Sequence, residues 1–419
     1  LSATAHQQAN SIPPVAEQGR EKVAPPDVAA ERTSEIQVEK SPNDERAMEL
    51  PSGIQAIVIS DPDTKISAAA MDVHVGYFSD PDDLPGLAHF CEHLLFLGTD
   101  KYPDDYEAHL KSHGGSSNAY TASEDTVYYF NVASDHLAGP DGALDRFAQF
   151  FIAPQFTESA TERELNAIES ENAKDQTCDY WRLLLIENSR ANPKHPYSKF
   201  GAGNRKSLLE DPAAKGKNAR EALLPFFYAH YAANQMTLVV LGKESLSELQ
   251  QAVEEKFSAV PKRGCGLRPS SAWIGKVKPF LDDRAKPLQA FNVVPVKDLR
   301  SLEVSWTLTF DTYEERKEYL DAAPFSYIAY VVEYEGPGSL LSYLKGKGWA
   351  NALNAGCSAS NDDFTNFEIS VDLTPEGLLN RFHVLTAIFS YLDLMQKEGI
   401  PRSLAPELRV MSDLGWQFQ

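Results

Sequence analysis

The sequence predicts an α+β protein of two domains, because the chain is long and its strand–helix pattern occurs twice. At 419 residues, the chain is too long for one ordinary hydrophobic core and suits two domains of about 150–200 residues each. Residues 261–269 have the composition of a linker, and the strand–helix pattern restarts beyond them. We predict a disordered segment over residues 1–34, a first domain over 35–261, a linker over 262–275 and a second, incomplete domain over 276–419.

The first domain is predicted from strands with apolar alternation and from helices with a 3.6-residue apolar period. Ser159 and Glu162 have the spacing of a capping box at the start of one helix. The predicted strands of this domain span residues 54–59, 67–76, 117–121, 126–132 and 236–241. Its predicted helices span residues 86–97, 106–113, 142–152, 159–175, 220–231 and 245–257.

The second domain repeats the pattern of alternating strands and helices with fewer elements. Strands are predicted over residues 302–309 and 367–373, and helices over 324–332, from 336 onwards and over 375–396. The chain ends inside what reads as another helix, so we expect this domain to be incomplete.

Charge and composition exclude several classes of function. A formal net charge of −21 argues against nucleic acid, whose phosphates would be repelled, and is compatible with neutral or cationic peptides. No apolar run approaches the roughly 18 residues that a membrane-spanning helix requires. The chain has no basic region followed by an apolar stretch, so we expect that any targeting peptide has been removed or that the chain is a fragment.

Four cysteines without close pairs indicate reduced thiols rather than a disulfide framework. We therefore predict a cytoplasmic location, with a mitochondrial or a secretory-pathway compartment as the alternatives. The four are Cys91, Cys178, Cys265 and Cys357.

The sequence His89-Phe-Cys-Glu92-His93 predicts a metal site on the helix over residues 86–97. Residues four apart on a helix share a face, so both imidazoles can reach one ion. A catalytic zinc binds three histidine or glutamate ligands and keeps one place for water. Glu92 lies beside such an ion and can accept a proton from the water, as in the inverted form of the His-Glu-x-x-His motif. An ordinary amphipathic helix with two packed histidines is the alternative.

A second pair of histidines, His109 and His113, has the same spacing but lacks a neighbouring acid and adjoins two glycines. We interpret this pair as surface or helix-end histidines. The third zinc ligand stays open at this point, because the predicted helix over residues 159–175 carries four glutamates. They are Glu162, Glu164, Glu169 and Glu171, of which Glu164 and Glu171 share a face with Ile168 between them.

From about Glu35 onwards, the chain resembles the M16 inverzincin metallopeptidases of the insulin-degrading enzyme type. The resemblance implies two homologous α/β-sandwich domains of the LuxS and mitochondrial processing peptidase-like fold, with the second one inactive. It also implies zinc peptidase activity on short to medium peptides. The segments that carry the resemblance span residues 86–99, 115–121, 142–151, 192–196 and 335–341.

The resemblance selects the third ligand among the four glutamates. The family segment Arg-Glu-x-Asn-Ala-x-x-Ser-Glu matches residues 163–171, which makes Glu171 the ligand and leaves Glu169 as the alternative. Glu164 matches the second acidic residue of the family, which supports the site from the same helix. One Zn²⁺ per chain is implied, with Glu92 as the general base.

The resemblance also implies contacts with peptide substrates. The strand over residues 117–121 would pair edge-on with the substrate backbone through residues such as Asn118 and Ala119. Phe96, Tyr120 and Trp181 would line a pocket for a large apolar side chain, although core packing is the simpler interpretation of each aromatic residue.

A glycine-rich loop with Gly336 and Gly338 resembles the family exosite for the N-terminus of the substrate. Tyr334 and Tyr343 depart from the histidine and glutamate of that exosite, which puts amine capture in doubt.

The resemblance further implies a partner, a C-terminal M16 half from the same precursor or from a separate chain. The resemblance is also compatible with a homo-oligomer. The alternative functions are a non-catalytic M16-like scaffold or peptide-binding subunit, and a subunit of a mitochondrial presequence-processing peptidase.

Overall fold

The computed structural model describes residues 44–262, 269–281, 290–399 and 404–417. The predicted disordered segment over residues 1–34 lies outside these residues, and so does part of the predicted linker. In the described residues, no helix combines the length and the apolar character needed to cross a membrane.

Six strands form the first sheet, which carries the candidate site at one edge. They are β1 (Asp44–Glu49), β2 (Gln55–Ser60), β3 (Ile66–Val73), β4 (Ser116–Thr121), β5 (Thr126–Ala133) and β6 (Met236–Gly242). The order across the sheet is β1-β2-β6-β3-β5-β4, with β2 and β6 parallel and the other neighbours antiparallel. Among the described residues, strand β4 is therefore an edge strand, with a partner strand on one side.

Helices of the first domain cover this sheet. They are α1 (Leu87–Leu95), α2 (Tyr106–Ser112), α3 (Ala143–Ile152), α4 (Glu158–Asp175), α5 (Asp179–Arg190), α6 (Asp211–Ala214), α7 (Ala219–His230) and α8 (Leu246–Phe257). Helix α1 packs against α4, α7 and β4. Its apolar residues, such as Phe90 and Leu94, are fully buried in the core, which turns the polar residues of α1 towards the rim of the sheet.

The second domain consists of a three-stranded antiparallel sheet and its helices. The strands are β7 (Ser301–Thr309), β8 (Ala350–Ser360) and β9 (Phe364–Leu373), in the order β7-β9-β8. The helices are α9 (Tyr313–Ala322), α10 (Pro324–Glu333), α11 (Leu340–Gly346), α12 (Pro375–Leu379), α13 (Arg381–Glu398) and α14 (Leu404–Gln417).

Each sheet has its own hydrophobic core, and a small aromatic cluster joins the two domains. In this cluster Phe78 and Tyr197 of the first domain meet Trp273 and Phe364. The domain boundaries at residues 261 and 276 themselves stay a prediction.

Two predicted features are wrong in detail. Ser159 and Glu162 do not form a capping box, because α4 begins earlier and Thr157 caps it by accepting from the N–H of Ala160. The predicted helix over residues 375–396 is broken at Asn380 into α12 and α13. The capping box of α8 is present at Ser245, where the predicted helix over residues 245–257 starts.

Candidate metal centre and active site

Helix α1 carries both histidines of the motif, and a buried carboxylate outside the helix caps its first turn. Gly86 precedes the helix with φ of 95°, and a Cβ atom there would have no room against the backbone of Gly203. Asp80 accepts hydrogen bonds from the N–H groups of Gly86 at 2.6 Å and Ala88 at 2.7 Å. Burial raises the pKa of Asp80 to about 7, although these N–H donors act to lower it. Sequence reasoning missed Asp80, because it lies outside the spacing of an ordinary N-cap.

His89 and His93 direct their Nε2 atoms to the same point. The two Nε2 atoms lie 3.2 Å apart, and the rings are nearly perpendicular, at 86°. Nδ1 of His89 lies 2.7 Å from the carbonyl oxygen of Ala202, and Nδ1 of His93 lies 3.2 Å from Oε2 of Glu164. Because both partners are acceptors, the proton of each neutral ring lies on Nδ1, which leaves the lone pair of Nε2 for a ligand. A metal-ligating histidine requires this tautomer.

Helix α4 supplies two carboxylates to the same place. Ile168 is buried in the core and turns the face with Glu164 and Glu171 towards α1. Oε2 of Glu171 lies 3.6 Å from Nε2 of His89 and 3.3 Å from Nε2 of His93. The side chain of Glu171 is half exposed. The structure therefore brings His89, His93, Glu164 and Glu171 together, as the sequence-based hypothesis requires.

The other two candidate ligands on α4, Glu162 and Glu169, point elsewhere. Glu169 accepts a hydrogen bond from the backbone N–H of Arg205 at 2.9 Å. Glu162 is exposed on the outer face of the helix. Neither contacts a histidine ring through a described hydrogen bond or ion pair in residues 44–262. The geometry thus favours Glu171 over the alternative, Glu169.

The donor set fits zinc. Ligand atoms roughly 2.0–2.1 Å from a tetrahedral zinc lie about 3.3 Å from one another. The three separations among the two Nε2 atoms and Oε2 of Glu171 are 3.2, 3.3 and 3.6 Å. Two imidazoles and one carboxylate are the ligand types of catalytic zinc sites.

Carboxylates dominate the electrostatics around the two imidazoles. Burial lowers the pKa of His93, but hydrogen bonds to Glu164 and Glu171 outweigh it and raise this pKa to about 10. The hydrogen bond to His93 in turn lowers the pKa of Glu164 and of Glu171. The site therefore attracts positive charge, which a metal ion can supply in place of the proton.

Glu92 lies beside this group but is held differently. Ligand atoms of His89, Glu92 and His93 lie within 4.8 Å of one another. The Glu92 carboxylate is almost fully buried, and its Oε2 accepts a hydrogen bond from the Thr121 hydroxyl at 2.5 Å. Burial raises the pKa of Glu92, and the neighbouring histidines and Thr121 act in the opposite direction. Thr121 lies at the end of β4, and no motif of the sequence marks it for this role.

Two family profiles match most of the chain. Residues 55–194 match the profile described as Insulinase (Peptidase family M16), and residues 218–405 match the Peptidase M16 inactive domain. The chain belongs to peptidase family M16. This membership confirms the resemblance and the α+β fold class that were predicted from the sequence.

Relatives of known name are similar along most of this chain. Insulin-degrading enzyme of Drosophila melanogaster is 44% identical over 378 residues, which are 90% of this chain and 37% of that protein. The enzyme of the same name from Homo sapiens is 42% identical over 387 residues, which are 91% of this chain and 36% of that protein. The crystal structure of pitrilysin matches with a TM-score of 0.76 and 30% identity, over 91% of this chain and 39% of pitrilysin. The chain thus spans little more than a third of the length of these M16 relatives.

The strand predicted over residues 117–121 is β4, which lies at the rim of the M16 domain. Strand β4 pairs with β5 on one side only, next to α1. Tyr120 is exposed and Ala119 is half buried against the core, whereas Asn118 donates to the hydroxyl of Tyr129 at 3.3 Å. An edge strand of this kind can add a peptide strand.

The predicted aromatic pocket is only partly supported by the geometry. Phe96 packs against the core, with its ring 5.2 Å from Phe150 and 6.0 Å from Tyr128 between centroids. Trp181 is exposed on α5, 5.1 Å from the ring of Tyr180. Core packing, the simpler interpretation, describes Phe96 well, and the shared pocket stays a prediction.

The glycine-rich loop of the second domain precedes α11. Gly338 has φ of 86° and leads into Ser339, which caps α11 by accepting from the N–H of Ser342. The hydroxyl of Tyr334 lies where a side chain at Gly336 would point, so a Cβ atom there has no room. The tyrosine that departs from the family pattern therefore covers the loop directly.

Proposed function

We propose that this chain is the zinc-binding part of a metalloendopeptidase that hydrolyses short to medium peptides. The observation that carries the proposal is the convergence of three ligand atoms, from His89, His93 and Glu171, at 3.2–3.6 Å from one another beside the buried Glu92. The named M16 relatives support the proposal, because their sequences align with about 90% of this chain.

In this proposal His89, His93 and Glu171 hold one Zn²⁺ per chain. When bound, zinc polarises the scissile carbonyl and lowers the pKa of water at its open position to roughly 7. Ala202 and Glu164 fix the orientation of the two imidazoles through Nδ1, which keeps both Nε2 atoms aimed at the ion.

Glu92 acts as the general base. Thr121 holds Oε2, so Oε1 accepts the proton of the attacking water and then passes it to the leaving amine. The apolar surroundings that raise the pKa of Glu92 make its carboxylate a stronger base than an exposed one. Because water itself attacks the scissile carbonyl, hydrolysis needs no covalent intermediate.

The backbone of the substrate pairs with the free edge of β4. This places an extended peptide across α1, with Asn118 and Tyr120 next to it. Neutral or cationic peptides suit the net charge of −21, because like charges would be repelled.

A C-terminal M16 half is the proposed partner, because the chain spans about a third of its relatives. The cytoplasmic location, with the mitochondrial and secretory-pathway alternatives, stays a prediction. A non-catalytic scaffold is the competing function, and it predicts a zinc content close to zero.

The test is cleavage of a quenched fluorescent peptide by the zinc-loaded chain, with and without a chelator. We expect chelator-sensitive cleavage, and the variant Glu92→Gln should lose about 10²–10⁴-fold in rate because the base is removed. Its zinc content, measured by atomic emission, should remain that of the unmodified chain.

Two results would contradict the proposal. Loss of zinc in Glu92→Gln would show that Glu92 is a ligand rather than the base. If the chain cleaves no peptide, either alone or after addition of a C-terminal M16 half, the result would favour the scaffold function.

A further inference from the structure

The turn between β8 and β9 of the second domain inserts three polar residues into the first domain. Asn361, Asp362 and Asp363 are 3%, 4% and 2% exposed. Burial of such side chains is costly unless hydrogen bonds compensate for the lost water. Buried polar groups of this kind specify one arrangement of the parts that they join. We call residues 361–363 the insertion turn.

Each residue of the insertion turn meets a partner in the first domain. The hydroxyl of Ser123 donates to Oδ1 of Asn361. The backbone N–H of Asp362 donates to Oε2 of Glu124 at 2.6 Å. Nε2 of His195 donates to Oδ2 of Asp363 at 2.8 Å.

His195 belongs to the segment over residues 192–196, which the metal centre does not use. Its Nδ1 accepts from the N–H of Tyr197 at 3.1 Å, so Nε2 carries the proton that binds Asp363. Asn192 donates through its side chain to the carbonyl oxygen of Lys278 at 2.9 Å. This segment therefore serves the contact between the domains.

Groups of the predicted linker and of the second domain also contact the insertion turn. Nε of Arg316 donates to the carbonyl oxygen of Asn361, and the hydroxyl of Ser270 donates to Oδ2 of Asp362, each at 2.5 Å. His74 of the first domain approaches the same Asp362 at 3.5 Å. The turn is thus held from both domains.

Two of the residues that contact the insertion turn, Ser123 and Glu124, lie in the β4–β5 turn, residues 122–125. This turn is itself closely packed, because a Cβ atom at Gly76 would have no room against the backbone of Ala122 and Ser123. The N–H of Tyr77 donates to the carbonyl oxygen of Ala122 at 3.1 Å. Thr121, which immediately precedes this turn, is the residue that holds Oε2 of Glu92 at 2.5 Å.

We propose that Thr121 is a positioning residue for the general base, and that the insertion turn of the second domain sets its place through Ser123 and Glu124. This inference rests on the proposed function, since it names what orients Glu92. A second domain without zinc ligands then contributes to the reaction by holding the end of β4.

Another contact between the domains provides a matched control. Nδ2 of Asn366 on β9 donates to Oε1 of Glu187 on α5 at 2.5 Å, and Asn366 is 1% exposed. This contact does not touch the β4–β5 turn. Asn361→Ala and Asn366→Ala therefore each remove one buried hydrogen bond between the domains, but only the first reaches Thr121.

The test measures amide hydrogen exchange by mass spectrometry in the zinc-loaded chain. We expect Asn361→Ala to speed exchange in peptides covering residues 116–126, and Asn366→Ala to leave these peptides unchanged. Ser123→Ala removes the other partner of the same hydrogen bond and should reproduce the effect of Asn361→Ala. Equal exchange at residues 116–126 in all variants would overturn the coupling.

Thr121 is tested with a conservative pair in the same chain. Thr121→Val should speed exchange in residues 87–97 and lower kcat at least about tenfold with KM unchanged, whereas Thr121→Ser retains the hydroxyl and should restore both. Identical behaviour of the two variants would overturn the positioning role. If the unmodified chain does not cleave peptides, the proposed function fails, and the exchange contrasts still decide this inference.

Discussion

Two histidine pairs with the same four-residue spacing lie in different surroundings in this protein. On α1, His93 lies next to Glu164 and Glu171 of α4. Hydrogen bonds to these two carboxylates raise the pKa of His93 to about 10, although burial acts to lower it. At the end of α2, burial lowers the pKa of His109, and the positive charges of Arg146 and His113 lower it further. One pair therefore attracts a cation and the other repels it.

The orientation of the rings differs as well. His113 lies at the C-terminal cap of α2, where its Nδ1 is 2.8 Å from the carbonyl oxygen of His109, and its ring is tilted by 46° against that of His136, with 4.1 Å between centroids. Among the described residues, acidic and histidine ligand atoms converge within 4.8 Å around His89 and His93, where Glu92 and Glu171 approach the two rings. Spacing provides two histidines on one face, and the acidic surroundings make the metal centre.

The largest expected effect concerns the metal itself. His89→Ala should abolish stoichiometric zinc binding, because it removes one of three ligands, whereas His109→Ala should retain about one zinc per chain. Atomic emission of the dialysed proteins measures this directly. A loss of zinc in His109→Ala would break the contrast between the two pairs, provided that circular dichroism shows a folded protein.

A smaller effect is expected at the residue that orients His93. Glu164→Gln weakens the hydrogen bond to Nδ1 and should lower zinc affinity about 10–100-fold without removing a ligand. Glu162→Gln on the exposed face of the same helix is the control and should leave the affinity unchanged. Competition with a chromophoric chelator measures both affinities, and equal values would mean that Glu164 has no orienting role.

The last effect concerns the stability of the fold, through a glutamate in the contact between the domains. Burial, followed by the negative charges of Asp362 and Asp363, raises the pKa of Glu124 from 4.5 to about 8, and His74 acts in the opposite direction. Between pH 4.5 and about pH 8, Glu124 keeps its proton in the folded protein and releases it in the unfolded chain. Its stabilising contribution is therefore complete below pH 4.5 and is lost as the pH rises through 8.

Urea unfolding at several pH values measures this contribution. The free energy of unfolding should fall from pH 5 to pH 8 by at most about 1.4 kcal/mol per pH unit for one proton. Glu124→Gln should show a shallower fall, and Glu398→Gln, exposed at the end of α13, should follow the unmodified chain. Parallel slopes in all three proteins would contradict the role of Glu124.

Most strands and helices could be predicted from apolar periodicity, and the elements that were missed lack it. Strand β1 is a charged edge strand, and β8 consists mainly of small and polar residues. Helix α9 has no fully buried residue, so no apolar stripe marks it. Helix α5 buries only Asp179 and Asn188, whereas its aromatic residues Tyr180 and Trp181 are exposed. Its buried face is therefore not marked by apolar residues in the sequence.

The sequence by itself determined the two histidines, the neighbouring acid and the helix that carries them, because residues four apart on a helix share a face whatever the rest of the fold is. Through its family resemblance, it also indicated Glu171. Tertiary structure alone decided which glutamates of α4 turn towards the histidines, because Glu169 binds the backbone of Arg205 instead. It alone showed that Thr121 holds Glu92, since that contact joins an edge strand to a helix 29 residues earlier in the chain. Such contacts depend on how the elements pack, which local sequence patterns do not encode.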